Sequence, residues 1–449
     1  MPTPPRLRDR GGERRRHPPE RVTRERVVGK GTRIDAMPEE KIDRLIEEKK
    51  IVICAGSGGV GKTTTSAAVG VEAAIRGKRV LVLTIDPARR LANSLGLSEI
   101  GNEETPIPAE RFEAVGIAPK GELSIMMLDM KRTFDHLIEQ FAPNAEVREK
   151  IFANDVYQYI SGALHGSHEY MAMEKLYEIH ARKDYDLLVL DTPPTRHALD
   201  FLEAPKRLTD FLEGRVVQWI LRPYLAAGRK GFKIFQKGTA KLFGILENVT
   251  GVQLLQDVAE FLLSFRDLFD GFKERAEAVD GILRGEETTF LLITSPQRAA
   301  LAEARFFYKR LVASDMPFGA FIVNRVHPPC ANFSEIYMRI TDFLTTAREN
   351  GMPLAHRLPP SISPQCFQTL IEKTLFSFEQ SYNLATIDLE MIEELRNFAG
   401  REAVVRTVPI FDADVHDIRG LTEINRFIFG EGGESSPSPQ VPPAGGSAG

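Results

Sequence analysis

The sequence predicts an α/β fold: a doubly wound, mostly parallel sheet with a large helical insertion. Apolar runs rich in Val, Ile and Leu alternate with helical patterns, as buried parallel strands alternate with crossover helices. One of these runs leads into a glycine-rich turn and then into an alanine-rich helix, which indicates a strand–loop–helix unit. The six predicted strands are residues 51–55, 79–85, 123–129, 187–191, 290–294 and 320–324.

The first strand and the turn after it carry the strongest chemical signal. Residues 56–63 fit the pattern Gly-x-x-x-x-Gly-Lys-Thr, which binds phosphate where a strand precedes it and a helix follows. The backbone N–H groups of such a turn and the positive end of the helix point at the same place. We therefore expect Lys62 to bind nucleotide phosphates and the Thr63 hydroxyl to bind Mg²⁺. The predicted nucleotide-binding residues of this P-loop are Gly58, Gly59, Val60, Gly61, Lys62, Thr63 and Thr64.

The second and fourth predicted strands each lead to an aspartate. Asp86 follows the second strand, and Asp191 is the last residue of the fourth. The carboxyl ends of parallel strands meet at one edge of the sheet, beside the phosphate loop. An NTPase needs a carboxylate near its metal there, together with a group that orients the attacking water. The two aspartates are therefore the predicted partners of the loop.

The alternation of strands and helices stops between residues 199 and 285. This region has no convincing strand, and its apolar residues follow helical spacing on more than one face. A second, smaller helical stretch runs through residues 134–182. An apolar helical layer either packs on its own sheet or forms a groove for a client, and the pattern favours neither.

The predicted organisation has five parts. The tails are rich in Pro and Gly, with many Arg in the first and several Ser in the second, so we expect both to be disordered. The parts are a basic tail (1–36), the first part of the P-loop NTPase core (37–198), the helical insertion (199–285), the second part of the core with the adenine-side loops (286–430) and a C-terminal tail (431–449).

Charge and cysteine usage limit the function classes. The formal net charge of the 449 residues is −4, so we expect no nucleic-acid partner. No apolar run is long enough to span a bilayer, and no secretory signal is visible. The three cysteines form no Cys-x-x-Cys pair, which favours a reducing cytoplasm and argues against a structural zinc site. We therefore expect a cytoplasmic protein that is not itself transmembrane.

Three motifs together resemble those of a known family. They are the loop 58–64, the segment Asp86-Pro87-Ala88, and Asp191-Thr192-Pro193-Pro194-Thr195 with His197. They are similar to the motifs of the arsenite-pump and tail-anchored-protein-targeting ATPases, which belong to the deviant-Walker group with the MinD and ParA proteins. Asn324-Arg325-Val326 is a softer match, and the likeness spans residues 48–430.

The resemblance implies a role for each site residue. It implies that Asp86 lies in switch I and positions the attacking water, while Asp191 opens switch II and acts on Mg²⁺ through water. Lys62, Asp86 and Asp191 are then the catalytic residues. It also implies that Asn324 hydrogen-bonds adenine and that residues 409–414 close over the base. Proteins of this kind are typically homodimers that sandwich two ATP molecules and open or close a helical surface.

The chain departs from the family pattern in three ways. Ser57 stands where the deviant Walker pattern has a lysine, so an arginine of a switch loop would have to supply that charge. The candidates for that role are Arg89, Arg90 and Arg196. The Cys-x-x-Cys pair that clamps many tail-anchored-targeting dimers with zinc is absent. The scattered cysteines also argue against an arsenite site, because As(III) binds clustered thiols.

The sequence therefore predicts a Mg²⁺-dependent ATPase that couples ATP hydrolysis to movement of a helical subdomain. We expect a homodimer whose partner is an apolar helical protein client or a membrane protein. One alternative is a nucleotide-gated scaffold with negligible hydrolysis, which the serine at position 57 favours. Others are a kinase-like phosphoryl transferase, for which no acceptor site is marked, and a ParA-like or MinD-like partitioning ATPase, which the basic first tail favours slightly.

Overall fold

The structure, a computed structural model, describes residues 38–85, 91, 95, 101–155, 157–158, 167–193, 261, 268–330, 332–350 and 363–430. Both predicted tails lie outside the described residues. Most of the predicted insertion at 199–285 also lies outside them, and only residue 261 and the segment from 268 onward are described. The five-part organisation therefore stays a prediction.

The described strands form one eight-stranded sheet in the order β3-β4-β2-β5-β1-β6-β7-β8. All neighbouring pairs are parallel except β3 and β4, which are antiparallel. The first strand lies at the centre, with its successors on both sides, as in a doubly wound sheet. The strands are β1 (Ile51–Gly56), β2 (Arg79–Thr84), β3 (Thr105–Pro106), β4 (Glu122–Met127), β5 (Leu187–Asp191), β6 (Thr288–Thr294), β7 (Phe318–Val326) and β8 (Val404–Pro409).

Helices cover both faces of this sheet. The described helices are α1 (Pro38–Glu48), α2 (Lys62–Ile75), α3 (Ala109–Glu113), α4 (Met130–Phe141), α5 (Ala145–Phe152), α6 (Ser167–Arg182), α7 (Phe269–Arg284), α8 (Arg298–Ala313), α9 (Phe333–Asn350), α10 (Pro364–Ala399) and α11 (Ile418–Ile428). Residues of α1, α2 and α11 share one buried apolar cluster, and residues of α4, α6, α7, α8 and α10 share the other.

Successive strand residues alternate between these two clusters. Val52 and Cys54 of β1 belong to the cluster with α2, whereas Ile51 and Ile53 belong to the opposite one. Every residue of β1, β5 and β6 is buried. A strand that is buried on both faces has no polar side to show, which explains its continuous apolar sequence. The predicted α/β, doubly wound fold class is confirmed.

The six predicted strands are all present, with different ends in five of them. β5 has the predicted bounds, while β7 extends beyond the predicted 320–324 to Phe318–Val326. Two strands were not predicted: the two-residue β3 and the edge strand β8. The predicted helical stretch at 134–182 contains α5, α6 and most of α4. The long helices α9 and α10 between β7 and β8 were not predicted, and α10 has 36 residues.

None of the helices in the described ranges combines the length and the apolar character that crossing a membrane requires.

Candidate nucleotide-binding site

The phosphate loop joins the carboxyl end of β1 to the first residue of α2. Gly61 is the N-cap of α2, with φ 97°, and a Cβ added to it would lie 2.3 Å from the Asn324 side-chain nitrogen. Gly56 is equally constrained, because its added Cβ would lie 2.0 Å from the Ile293 carbonyl oxygen. The two glycines thus allow the loop to approach β6 and β7 closely.

A cavity of about 800 Å³ opens at this loop. Its lining comes mainly from the phosphate loop with the start of α2, the end of β7 and the segment that begins at the end of β8, and single residues follow β5 and lie on α11. The lining residues include Gly58, Gly59, Gly61, Lys62, Thr63, Thr64, Thr192, Asn324, Arg325, Pro409, Ile410, Phe411, Asp414 and His416. The predicted loop at 409–414 therefore borders the same cavity as the phosphate loop. Ligands of doubly wound sheets bind at this end of the strands.

Lys62 directs its ammonium group over the phosphate loop. The residue is 7% exposed, and its Nζ donates a hydrogen bond to the Ser57 carbonyl oxygen at 2.9 Å. The N-cap Gly61 offers no side chain to the first turn of α2, and that turn contains no acidic residue. Its N–H groups therefore face the cavity together with a positive charge, which is an arrangement that binds anions.

Asp191 lies in hydrogen-bond contact with the phosphate loop. It is 1% exposed at the end of β5, and its Oδ2 accepts a hydrogen bond from the Thr63 hydroxyl at 2.7 Å. The Thr84 hydroxyl of β2 donates to the same oxygen at 2.9 Å. Because β5 pairs with both β1 and β2, the sheet itself brings the carboxylate to Thr63.

These oxygens fit a magnesium ion. Thr63 donates its proton to Asp191, so the lone pairs of Oγ1 stay available for a cation. A hydroxyl and a nearby carboxylate are hard oxygen ligands, and Mg²⁺ usually takes one or two protein ligands together with substrate phosphates and water. Asp86, the third predicted metal-side residue, lies outside the described residues.

Cys54 of β1 is the register partner of Asp191 in the parallel pairing with β5. Thr192, the residue after Asp191, donates a hydrogen bond to the Cys54 carbonyl oxygen at 2.8 Å and so fixes the chain after β5 to β1. Burial raises the pKa of the Cys54 thiol to about 12, although a hydrogen bond with Ser66 opposes the shift. The thiol therefore stays protonated at neutral pH, and a protonated thiol is neither a nucleophile nor a ligand for a soft ion.

Asn324 contacts the phosphate loop as well as the cavity. Its side-chain Nδ2 donates to the Val60 carbonyl oxygen at 2.9 Å, and its Oδ1 accepts from the backbone N–H of Arg325 at 2.9 Å. The structure thus gives this amide a role in holding the loop. The amide nitrogen has a second proton to donate, so adenine binding by Asn324 stays a prediction.

Ser57 makes a contact that no sequence pattern indicates. Its hydroxyl donates a hydrogen bond to Oε2 of Glu303 on α8 at 2.6 Å. The position at which the family pattern has a lysine is therefore occupied by a neutral side chain that is bonded to an acid. Nothing in the spacing of the sequence links the two residues, which are 246 positions apart.

Several predicted residues lie outside the described part of the chain. They are Asp86, Arg89, Arg90, Arg196 and His197. The part of the site that the structure brings together is the phosphate loop with Asp191 and Asn324.

Comparisons with known proteins agree with this geometry. The putative arsenical pump-driving ATPase 1 of Aquifex aeolicus is 25% identical over 298 residues, which are 62% of this chain and 64% of that protein, slightly less than two thirds of its length. The ATPase GET3 of Malassezia globosa is 24% identical over 302 residues, 66% of this chain and 80% of that protein. An ATPase ASNA1 homolog of Entamoeba dispar is 27% identical over 305 residues, 65% of this chain and 81% of that protein.

The family assignment rests on a match to a family model. The family model of the anion-transporting ATPases (ArsA ATPase) matches residues 49–337, which include the phosphate loop, Asp191 and Asn324. The resemblance inferred from the motifs is confirmed. The chain belongs to the ArsA family of anion-transporting ATPases.

Proposed function

We propose that this protein is a Mg²⁺-dependent ATPase that hydrolyses ATP to ADP and phosphate and couples the cycle to movement of a helical partner-binding subdomain. The hydrogen bond between Thr63 and Asp191 is the observation that supports it most directly, because it joins the phosphate loop to an acidic strand end at 2.7 Å. Thr63 would bind the metal directly, with Asp191 and Asp86 acting partly through water. A bound Mg²⁺ ion neutralises charge on the β- and γ-phosphates.

Residues of the chain itself would bind the phosphate tail, orient the attacking water and bind adenine. The N–H groups of the phosphate loop and the first turn of α2 hold the phosphate tail, and Lys62 offsets its charge. Asp86 orients the attacking water, a role that rests on the resemblance. Asn324 and the segment at 409–414 border the end of the cavity that would hold adenine. Catalysis then depends mainly on positioning and electrostatics.

The proposed coupling starts at Asp191. This residue is bonded to the metal-side threonine, and it is also the last residue of β5 before the predicted switch II segment. A ligand that shifts Thr63 therefore acts on the strand end that begins this segment. Differential contacts of ATP and ADP with the two aspartate segments would supply the free energy for the movement.

The proposed partners are a second copy of this chain and an apolar helical protein or membrane protein. Support for an apolar partner comes from α9 and α10, which expose large apolar side chains. Met338 is 63% exposed, Leu370 59% and Phe376 62%. The predicted insertion at 199–285, for which the sequence leaves a client groove and an internal helical layer equally open, lies mostly outside the described residues.

Phosphate release measured without any added acceptor tests the proposed reaction. We expect release from ATP in the presence of Mg²⁺, and we expect Lys62→Ala to abolish it while the protein stays folded. Release that needs an added acceptor would instead indicate a phosphoryl transferase. Purified, folded protein that binds no adenine nucleotide in calorimetry would exclude the proposal altogether.

One observation favours a second candidate, a nucleotide-gated scaffold with negligible hydrolysis. Ser57 brings no charge to the phosphate loop, and its hydroxyl is bonded to Glu303. A loop without the family lysine has less transition-state stabilisation from this position. Single-turnover hydrolysis compared with ATP affinity separates the two: tight binding without turnover would identify the scaffold.

A further inference from the structure

Arg325 has an unusual backbone conformation at the end of β7. Its φ is 61°, in the left-handed region that non-glycine residues seldom adopt. The pairing of β7 with β8 shifts register between Val323 and Val326, so Asn324 and Arg325 form a bulge. Bulges near the ends of strands re-aim a side chain, and strained residues that persist are held by their surroundings.

Asn324 holds this conformation. Its Oδ1 accepts from the Arg325 N–H at 2.9 Å, and its Nδ2 donates to Val60 of the phosphate loop at 2.9 Å. The backbone of Arg325 is thereby tied to the loop through a single side chain. The backbone from which the Arg325 side chain projects is therefore held by the same side chain that contacts the loop.

Arg325 lines two cavities that meet at the phosphate loop. The first is the nucleotide cavity, and the second, of about 740 Å³, lies on the other side of the loop. Gly58, Gly59 and Arg325 line both of them. Arg325 therefore lies beside the part of the phosphate loop that contains Gly58 and Gly59.

The charge of Arg325 is not used within the described residues. The side chain is exposed, and no hydrogen bond or ion pair joins its guanidinium group to another described residue. Two carboxylates line the second cavity, and both have other partners. Glu303 accepts from Ser57 at 2.6 Å, and Asp388 accepts from the backbone N–H of His327 at 2.9 Å and lies 2.8 Å from its Nδ1.

We propose that Arg325 is a second cationic ligand of the nucleotide's phosphate tail, which it contacts from the rim of the phosphate loop beside Gly58 and Gly59. A guanidinium group matches phosphate oxygens in charge and geometry, and the bulge holds the backbone from which it projects at this rim. It would supply charge that the neutral Ser57 does not. This inference rests on the proposed function, because it assumes that ATP binds in this cavity.

Calorimetric titration of ATP, ADP, AMP and adenosine into the full-length protein tests the proposal. We expect Arg325→Ala to weaken ATP binding by roughly tenfold or more, to weaken ADP binding less, and to leave adenosine binding unchanged. Arg298→Ala is the matched control, since Arg298 is an exposed arginine that lines only the second cavity. We expect this control to bind all four ligands like the wild type.

A second variant guards against misfolding. Arg325→Gly removes the same guanidinium group but suits a positive φ, so it should fold at least as well and lose ATP affinity to the same extent. An equal loss for all four ligands would place the arginine on the base or ribose and overturn the proposal, as would unchanged ATP affinity in both variants. Failure of the wild type to bind ATP would instead refute the proposed function.

Discussion

At the scale of single residues, Asp191 accepts two hydroxyl protons on one carboxylate oxygen. The donors are Thr63 of the phosphate loop at 2.7 Å and Thr84 of the neighbouring strand at 2.9 Å. The two bonds have the same chemistry and similar lengths, but only Thr63 lies at the phosphate loop. They therefore allow the functional and the structural roles of a hydroxyl to be separated at one site.

Replacing each threonine by valine removes one of these bonds while keeping the side-chain shape. We expect Thr63→Val to lower Mg²⁺-dependent phosphate release by roughly 100-fold or more, because the variant loses a metal ligand as well as the hydrogen bond. Thr84→Val should cost about 1 kcal/mol of unfolding free energy and much less activity. Thr63→Ser, which keeps the hydroxyl, is the control. Equal activity losses in the two valine variants would contradict the metal role of Thr63.

The raised pKa of the buried Cys54 thiol makes the free energy of unfolding depend on pH. Its pKa is raised from 9.0 to about 12 by burial. In the unfolded chain the thiol ionises near pH 9, whereas in the folded protein it stays protonated. Its contribution to the free energy of unfolding is therefore complete below pH 9 and falls as pH rises from 9 towards 12.

Alkylation at pH 8, followed by mass spectrometry, compares the reactivity of the buried Cys54 with that of the exposed Cys366. We expect the exposed Cys366 to be modified readily and Cys54 to be modified only in denaturant, where all three cysteines should react. Fast labelling of Cys54 in folded protein would show that the end of β1 opens in solution. Comparison with Cys54→Ala isolates this group's share of any loss of stability at high pH.

At the scale of elements, the edge strand β8 contains a buried arginine. Arg406 is 1% exposed, and its Nε and Nη1 atoms are buried with no hydrogen-bond partner in the part of the chain that the structure describes. Burial of a charge without a partner costs free energy. We expect Arg406→Met to raise the free energy of unfolding by about 1–3 kcal/mol in urea titration, since it keeps the length and removes the charge. Arg401→Met, at an exposed neighbouring position, should have an effect near zero.

Arg406 also explains why β8 was not predicted from the sequence. Arg406 and Thr407 interrupt the apolar run Val404-Val405, whereas the predicted strands have few such breaks. The central strands could be predicted because burial on both faces requires an unbroken apolar sequence. An edge strand is under less constraint, and a long helix such as α10 needs no buried stripe along its whole length.

The candidate site, like the fold, could be predicted only in part. Phosphate-loop spacing and a strand-ending aspartate were enough to predict that Thr63 and Asp191 would lie together, because sheet topology alone brings them into contact. The bond between Ser57 and Glu303 and the left-handed conformation of Arg325 depend on side-chain positions from separate elements. Periodicity and motif spacing carry no information on such contacts.

At the scale of the whole molecule, the sheet links the candidate site to the helices α4, α6 and α7. Asp191 ends β5, which lies between β1 and β2, and the opposite face of these strands packs on α4, α6 and α7. The strand that ends at Asp191 therefore packs directly on α6 and α7, the helices that precede and follow the predicted switch II segment. Packed cores respond to such changes by discrete shifts rather than by continuous deformation.

Hydrogen exchange with and without a non-hydrolysable ATP analogue and Mg²⁺ tests this coupling. We expect slower exchange in the phosphate loop and altered exchange in peptides that cover residues 192–200 and α6 and α7, because the ligand acts on Asp191 through Thr63. In Asp191→Asn, which can still accept both hydroxyl protons but lacks the charge, the loop should be protected while the distant changes disappear. Exchange changes confined to the cavity lining in the wild type would show that nucleotide binding does not reach the helices, and the proposed coupling would be wrong.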